Sequence, residues 1–194
     1  MKRKLAAIFA LVCLLFCGCS QSSPVSERTE TYIIPNSYFE FTGSEVPEAV
    51  ESCLELGNDF CTDAKEIPEG MQLELTDQQR NNLIQRNDDF VNELAQQFTL
   101  SNSMYKYIPD GSYEKLILYF DENISSTIEA KTILGIASNY GMNYMLLNNT
   151  TDWNVQIEIF NCHTYKVVAS VSVPNGEVSY GAEEWEESYN SQGE

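Results

Sequence analysis

Two stretches in the last quarter of the chain alternate apolar and polar residues strictly enough to predict a β-hairpin. The first runs from Trp153 to Ile159 and the second from Tyr165 to Val173, and a four-residue loop at 161–164 connects them. Alternation with a period of two places the apolar side chains on one face of a strand. So short a connection requires antiparallel pairing, because a parallel crossover needs a dozen or more residues. An entirely parallel sheet is therefore disfavoured.

A second hairpin is predicted around the turn Pro109-Asp110-Gly111, between the stretches 105–108 and 113–120. Proline presets φ and glycine accepts positive φ, which suits such a turn. Other strand candidates are shorter: the apolar run 32–34, the alternating stretches 38–41 and 71–75, and a last short strand at 178–180.

Two longer stretches carry apolar residues at helical spacing. Thr76 and Gln79 resemble a capping box that opens a helix over about 77–98, and Ser126 and Glu129 predict the same device at the start of a second helix ending at Gly141. A shorter helix is predicted over 46–56. We therefore predict one α+β domain over 32–180, with a mostly antiparallel sheet and two main helices packed on one face.

The N-terminal segment has the composition of a targeting signal. Three basic residues, 2–4, precede an uncharged apolar run at 5–16, which is the pattern of a secretory signal. A bilayer-spanning helix needs about 18 or more apolar residues, so this run is too short to be a permanent anchor.

The residues that end this run carry a resemblance to a known class. Phe16, Cys17, Gly18, Cys19 and the polar Ser20 resemble the lipobox of bacterial lipoproteins, although Phe16 and Cys17 depart from its commonest residues. The resemblance implies that 1–18 is a lipoprotein signal peptide, that Cys19 carries the lipid, and that 19–31 links it to the domain. The expected location is the cell membrane, lipid-anchored and facing outside the cytoplasm. An ordinary cleaved secretory signal is the alternative.

The charge balance limits the partners of the chain. It has 29 acidic and 11 basic residues, and three of the basic ones lie in the signal. Nucleic acids and anionic membrane surfaces attract positive faces, so neither is an expected partner of the domain. The acidic end of the chain, 181–194, is predicted to be a disordered tail.

The cysteines of the domain allow two arrangements. Outside the cytoplasm a disulfide is permitted, and Cys53 with Cys61 is the natural pair because it closes a small loop. Two free, buried thiols are the alternative.

Few residues point to catalysis or to a cofactor. His163 is the single histidine and is predicted to be a solvated turn residue. Adjacency alone does not make Cys162 its partner, since neighbours on a strand point to opposite faces. No metal site, cofactor or catalytic residue is expected. The one catalytic alternative is a small cell-envelope hydrolase that pairs Asp121 or Glu122 with Asp88 or Asp89.

Aromatic residues suggest binding rather than catalysis. Tyrosines and phenylalanines are frequent in the predicted strands, and an exposed tyrosine-rich sheet face suits a glycan or peptide ligand. Packing of these rings in the core is the alternative. The sequence thus predicts a membrane-tethered extracytoplasmic lipoprotein that acts as a binding or accessory module for an envelope protein or a glycan, without evident catalytic activity.

Overall fold

The predicted α+β class is confirmed by a computed structural model that describes residues 28–190. The signal peptide, Cys19 and the end of the acidic tail lie outside the described residues. The strands are β1 (Glu30–Pro35), β2 (Asp63–Ile67), β3 (Gly70–Leu75), β4 (Lys106–Ile108), β5 (Lys115–Phe120), β6 (Val155–Asn161) and β7 (Val167–Val173). The helices are α1 (Asn36–Thr42), α2 (Val46–Glu55), α3 (Asp77–Ser101), α4 (Ser126–Asn148) and α5 (Ala182–Asn190).

The strands form two sheets. Sheet A is antiparallel with the order β1-β3-β2, and sheet B has the order β4-β5-β6-β7. Both predicted hairpins are confirmed, because β4 pairs antiparallel with β5 and β6 pairs antiparallel with β7. The exception to antiparallel pairing is β5 with β6, which run parallel because α4 carries the chain across between them.

The first long helix begins as predicted. The Thr76 hydroxyl accepts from the backbone N–H of Gln79, whose side chain accepts in return from the backbone N–H of Thr76, so both halves of the capping box are present. The buried side of α3 includes Leu83, Val91 and Phe98. This helix packs against α4, and α4 also contacts strands of both sheets, β1 and β6.

α4 begins at Ser126, where a helix start was predicted, but the predicted capping box and the predicted end at Gly141 are wrong. Its N-cap is Ser125, without a side-chain cap, and Glu129 instead accepts a hydrogen bond from the Tyr180 hydroxyl. Gly141 does not end the helix, which continues to Asn148 because the apolar run that follows extends the buried side. The glycine is needed for close packing, since a Cβ there would lie 2.5 Å from Cε3 of Trp153.

Two shorter segments also differ from their predictions. The aromatic stretch at 38–41 belongs to α1 instead of a strand; Phe39 is buried there, while Tyr38 and Phe41 pack edge-on against the Trp153 ring. Residues 178–180 form no strand.

The predicted disordered tail is largely wrong. Residues 182–190 form α5, in which Trp185 and Ser188 are buried while the glutamates face solvent. The Trp185 ring lies 5.6 Å from the Phe120 ring, and the Asn161 side chain donates to the Ser188 hydroxyl at 2.8 Å. The acidic composition of this segment suggested disorder, but α5 is amphipathic. Two buried side chains on one side of it are enough to pack it against the domain.

The turn of the β4–β5 hairpin depends on one carboxylate. Asp110 Oδ2 accepts from the backbone N–H groups of Glu114 and Lys115, at 2.9 and 2.8 Å, and from the Ser112 hydroxyl. Burial acts to raise the pKa of Asp110, but these hydrogen bonds outweigh it and hold the pKa below its ordinary value.

This lowered pKa predicts a loss of stability in acid. A carboxylate with a folded-state pKa below its unfolded value stabilises the fold above the unfolded value, and the contribution disappears as pH falls through the folded value. Asp110→Ala should therefore lower the free energy of unfolding by about 1–2 kcal/mol at pH 7. Urea unfolding of both proteins should show the difference shrinking below about pH 4. An Asp110→Ala effect equal at pH 7 and pH 3 would contradict this assignment.

Among residues 28–190, no helix combines the length and the apolar character needed to cross a membrane.

Candidate functional site

Three chemically distinct side chains meet at one edge of sheet B. Asp121 follows the last residue of β5, and Cys162 and His163 follow the last residue of β6. Because β5 and β6 are parallel neighbours, their carboxyl ends meet at the same edge, which is where α/β sheets commonly bind ligands. We call these three residues the strand-end cluster.

Asp121 is the fixed member of the cluster. It is 5% exposed, and its Oδ1 accepts from the Tyr105 hydroxyl and from the backbone N–H of Asn123, both at 2.9 Å. Its Oδ2 accepts from Nε2 of His163 at 3.1 Å. Burial acts to raise the pKa of Asp121, but the hydrogen bonds from Tyr105, Asn123 and His163 outweigh it and lower the pKa.

Cys162 and His163 reach Asp121 from the turn after β6. The backbone N–H of Cys162 donates to the Phe120 carbonyl, and that of His163 donates to Oδ1 of Asn161, both at 2.9 Å. Cys162 is buried, whereas 41% of the His163 side chain is exposed. Burial and the charge of Asp121 raise the pKa of the Cys162 thiol, which opposes loss of its proton.

The cluster was missed from sequence for an identifiable reason. His163 is an exposed turn residue, as predicted, but its ring also contacts the buried carboxylate of Asp121. One carboxylate oxygen, one sulfur and one ring nitrogen of the cluster all lie within 4.8 Å of one another. The rule that neighbours point to opposite faces holds on a strand, but Cys162 and His163 lie in a turn. The available signal was the position of Asp121 directly after a buried strand.

The paired carboxylates proposed for hydrolysis lie in separate networks. Asp88 on α3 accepts from the Tyr113 hydroxyl and from the side-chain amide of Asn143. Asp121 is bonded to Tyr105 and His163. Within residues 28–190 the two carboxylates share no hydrogen-bond partner, so the structure offers no contact that links them.

Beside the cluster, one face of sheet B is not covered by any part of the chain within residues 28–190. Its side chains are exposed or half-buried, whereas those of the opposite face are buried under the helices. We call it the open face; it consists of Lys106, Ile108, Lys115, Ile117, Tyr119, Gln156, Glu158, Phe160, Val167, Ser170 and Ser172, together with Tyr165 in the adjoining turn.

The open face has an aromatic end. The Tyr119 and Phe160 rings stack at 4.9 Å with an interplanar angle of 18°, and Tyr165 meets Tyr119 edge-on. Nζ of Lys106 lies 5.0 Å from the centre of the Tyr165 ring, within range of a cation–π contact. Tyr165 and Val167 remain 59% and 53% exposed. The tyrosine-rich face predicted from the first half of the chain is not what forms this end. Tyr32, Phe39 and Tyr105 are buried in the core, as the alternative had it, and of the rings in the predicted face Tyr119 alone lies on the open face.

The cysteines of the described part are free thiols. Cys53 and Cys61 are not joined, although they lie near enough for each thiolate to affect the other; burial, then Cys61, raises the pKa of Cys53 to about 11. The disulfide that the sequence allowed is therefore absent from residues 28–190.

The chain matches no protein-family model, and neither the curated proteins nor the solved structures contain a match.

Proposed function

We propose that the chain is a lipid-anchored extracytoplasmic binding module, tethered through Cys19, that uses the open face of sheet B to hold an envelope protein. Two observations support this: the lipobox-like sequence that ends in Cys19 and the uncovered aromatic end of a sheet in a small domain. The proposal depends mainly on the second observation, because the open face offers an exposed surface on which a partner can pack.

The character of the open face favours a protein over a small ligand. Apolar and aromatic side chains gather at one end of it and polar side chains at the other, and aromatic residues are enriched in the core of protein interfaces. Tyr165 adds a ring with a polar tip, a residue type enriched at interface hot spots. Gln156 is already hydrogen-bonded to Ser170 and Ser172, which leaves this amide less available for sugar hydroxyls.

Charge further defines the partner. Lys106 and Lys115 lie on the open face of a chain with a formal charge of −18, and Lys115 forms an ion pair with Glu158 at 2.8 Å. Lys106, at the aromatic end, is exposed and accessible to a partner. The partner therefore presents an apolar surface with carboxylates at its edge, since opposite charges steer association.

The length of the linker limits how far the domain can lie from a lipid on Cys19. Ten residues separate Cys19 from Glu30, where β1 begins. At about 3.5 Å per residue the connection extends at most about 40 Å. The partner is thus a membrane protein or an envelope protein held near the membrane.

Photo-crosslinking in intact cells tests both parts of the proposal. A photoreactive amino acid at position 167 should give one defined protein adduct, whereas the same amino acid at Lys65, exposed on sheet A, should not. Tyr165→Asn should reduce the adduct at least about tenfold, a loss of about 1.4 kcal/mol. Asparagine is the chosen replacement because it tolerates the positive φ of Tyr165, 60°.

The anchor is tested in the same cells. Cys19→Ala should move the protein out of the membrane fraction and abolish the adduct at position 167. An adduct that survives Tyr165→Asn, or appears equally at Lys65, would contradict the open face as the binding surface. Membrane retention of Cys19→Ala would contradict lipidation. If the adducts contained glycan and no protein, the ligand of the open face would be a glycan and not a protein.

A further inference from the structure

The strand-end cluster offers the three kinds of donor atom found in zinc sites. Asp121 contributes a carboxylate oxygen, Cys162 a sulfur and His163 an imidazole nitrogen. We propose that these three side chains bind one divalent transition-metal ion of the zinc class. This site is independent of the open face and of the lipid anchor.

The spacing of the donor atoms suits a single ion. Zinc lies about 2.3 Å from sulfur and about 2.0–2.2 Å from nitrogen or oxygen ligands, so donors around one tetrahedral ion are somewhat less than 4 Å apart. The three donor atoms of the cluster lie within 4.8 Å of one another. A displacement of less than 1 Å, within the reach of a side-chain rotation, brings them to coordination distance.

The carboxylate is already oriented as a ligand. Hydrogen bonds from Tyr105 and Asn123 hold Oδ1 of Asp121, and Oδ2 points to Nε2 of His163. Metal ligands are commonly fixed by such outer hydrogen bonds, which reduces the cost of assembling the site. An ion between Oδ2 and Nε2 replaces their mutual hydrogen bond.

Binding balances without an oxidant or reductant. Cys162 coordinates as thiolate and releases its proton to solvent. Nε2 of His163 loses the proton that it donates to Asp121 and coordinates, and the resulting neutral imidazole carries its one proton on Nδ1. The donors are contributed by the ends of two neighbouring strands, so the ion ties β5 to β6.

The donor set selects the class of metal and leaves room for a further ligand. Sulfur and imidazole favour zinc, cobalt, nickel and copper, whereas magnesium and calcium prefer oxygen alone. Asp121 and Cys162 are buried, but His163 opens to solvent, which provides an entry path for the ion. Three protein ligands leave the fourth tetrahedral position for water, as in catalytic zinc sites.

Cobalt titration of the full-length chain tests the proposal, because a cobalt–thiolate bond gives a charge-transfer absorption in the near ultraviolet. The wild type should bind Co²⁺ with this absorption and lose it when Zn²⁺ is added. Cys162→Ser should remove the absorption, and His163→Gln, whose amide still donates to Asp121, should weaken Co²⁺ binding by at least about 100-fold.

A matched cysteine variant controls for the loss of a thiol outside the cluster. Cys53→Ser removes a half-buried thiol far from the three donors in sequence and should leave both absorption and affinity unchanged. Circular dichroism checks that each variant folds. The proposal is overturned if the wild type shows no cobalt–thiolate absorption, if Cys162→Ser keeps it, or if a folded His163→Gln protein binds Co²⁺ as tightly as the wild type.

Discussion

Trp185→Ala is expected to detach α5 from sheet B and to lower the free energy of unfolding by about 3–5 kcal/mol, the usual cost of truncating a buried tryptophan. The indole is 6% exposed and packs between the Phe120 and Tyr180 rings, with ring centres at 5.6 and 6.2 Å. A helix of nine residues is too short to persist by itself in water, so its helical structure depends on this contact.

Urea unfolding followed by circular dichroism measures this effect. The helical signal should fall in Trp185→Ala even before the main transition, because α5 unfolds while both sheets remain. Glu186→Ala, at an exposed position of the same helix, should change the stability by less than about 0.5 kcal/mol. Wild-type stability in Trp185→Ala would show that α5 contributes nothing to the fold.

Gly70→Ala is expected to be comparably severe, at about 3 kcal/mol or more, for a different reason. Gly70 begins β3 with φ at 141°, and a Cβ there would lie 2.1 Å from the carbonyl oxygen of Ile34. This neighbour is backbone that pairs β1 with β3, so relief of the clash requires these strands to separate. No rotation of a side chain can absorb it.

Thermal and urea unfolding should show that Gly70→Ala is less stable than Gly111→Ala, which serves as a matched control. A Cβ at Gly111 meets no atom within 4 Å, and the position has no positive φ. Its substitution should therefore be neutral or slightly stabilising, because alanine has fewer unfolded conformations. Similar stabilities for Gly70→Ala and Gly111→Ala would contradict the tight approach of β1 to β3.

The sequence predicted helix ends correctly where the interactions that fix them are between residues close in sequence. The capping box at Thr76 and Gln79 fixed the start of α3, because both of its partners are close in sequence. The same pattern at Ser126 and Glu129 failed because a distant residue, Tyr180, takes the Glu129 carboxylate. Gly141 was wrongly predicted to end α4 for a similar reason. Its lack of a side chain makes room for the Trp153 ring, and that contact arises from tertiary packing.

The candidate sites were harder to predict because they depend on strand order. The sequence predicted hairpins, whose partners are adjacent, but it did not reveal that β5 and β6 pair in parallel across α4. This pairing brings Asp121 to His163 and lines up Tyr119 with Phe160. Trp185 lies in an acidic segment, and its burial depends on the Phe120 and Tyr180 rings, which only the folded domain brings beside it.

The parallel pair also bears on the order in which the chain folds. Its first pairing joins Lys115 to Gln156, with the whole of α4 between them, whereas each hairpin closes across a few residues. Closing a long loop costs entropy before its contacts are gained, so we expect the hairpins and α4 to form early and the parallel pairing to form late. Asp121, Cys162 and His163 come together only when β5 and β6 pair, so the ion that we propose for them would stabilise the paired strands and not an earlier intermediate.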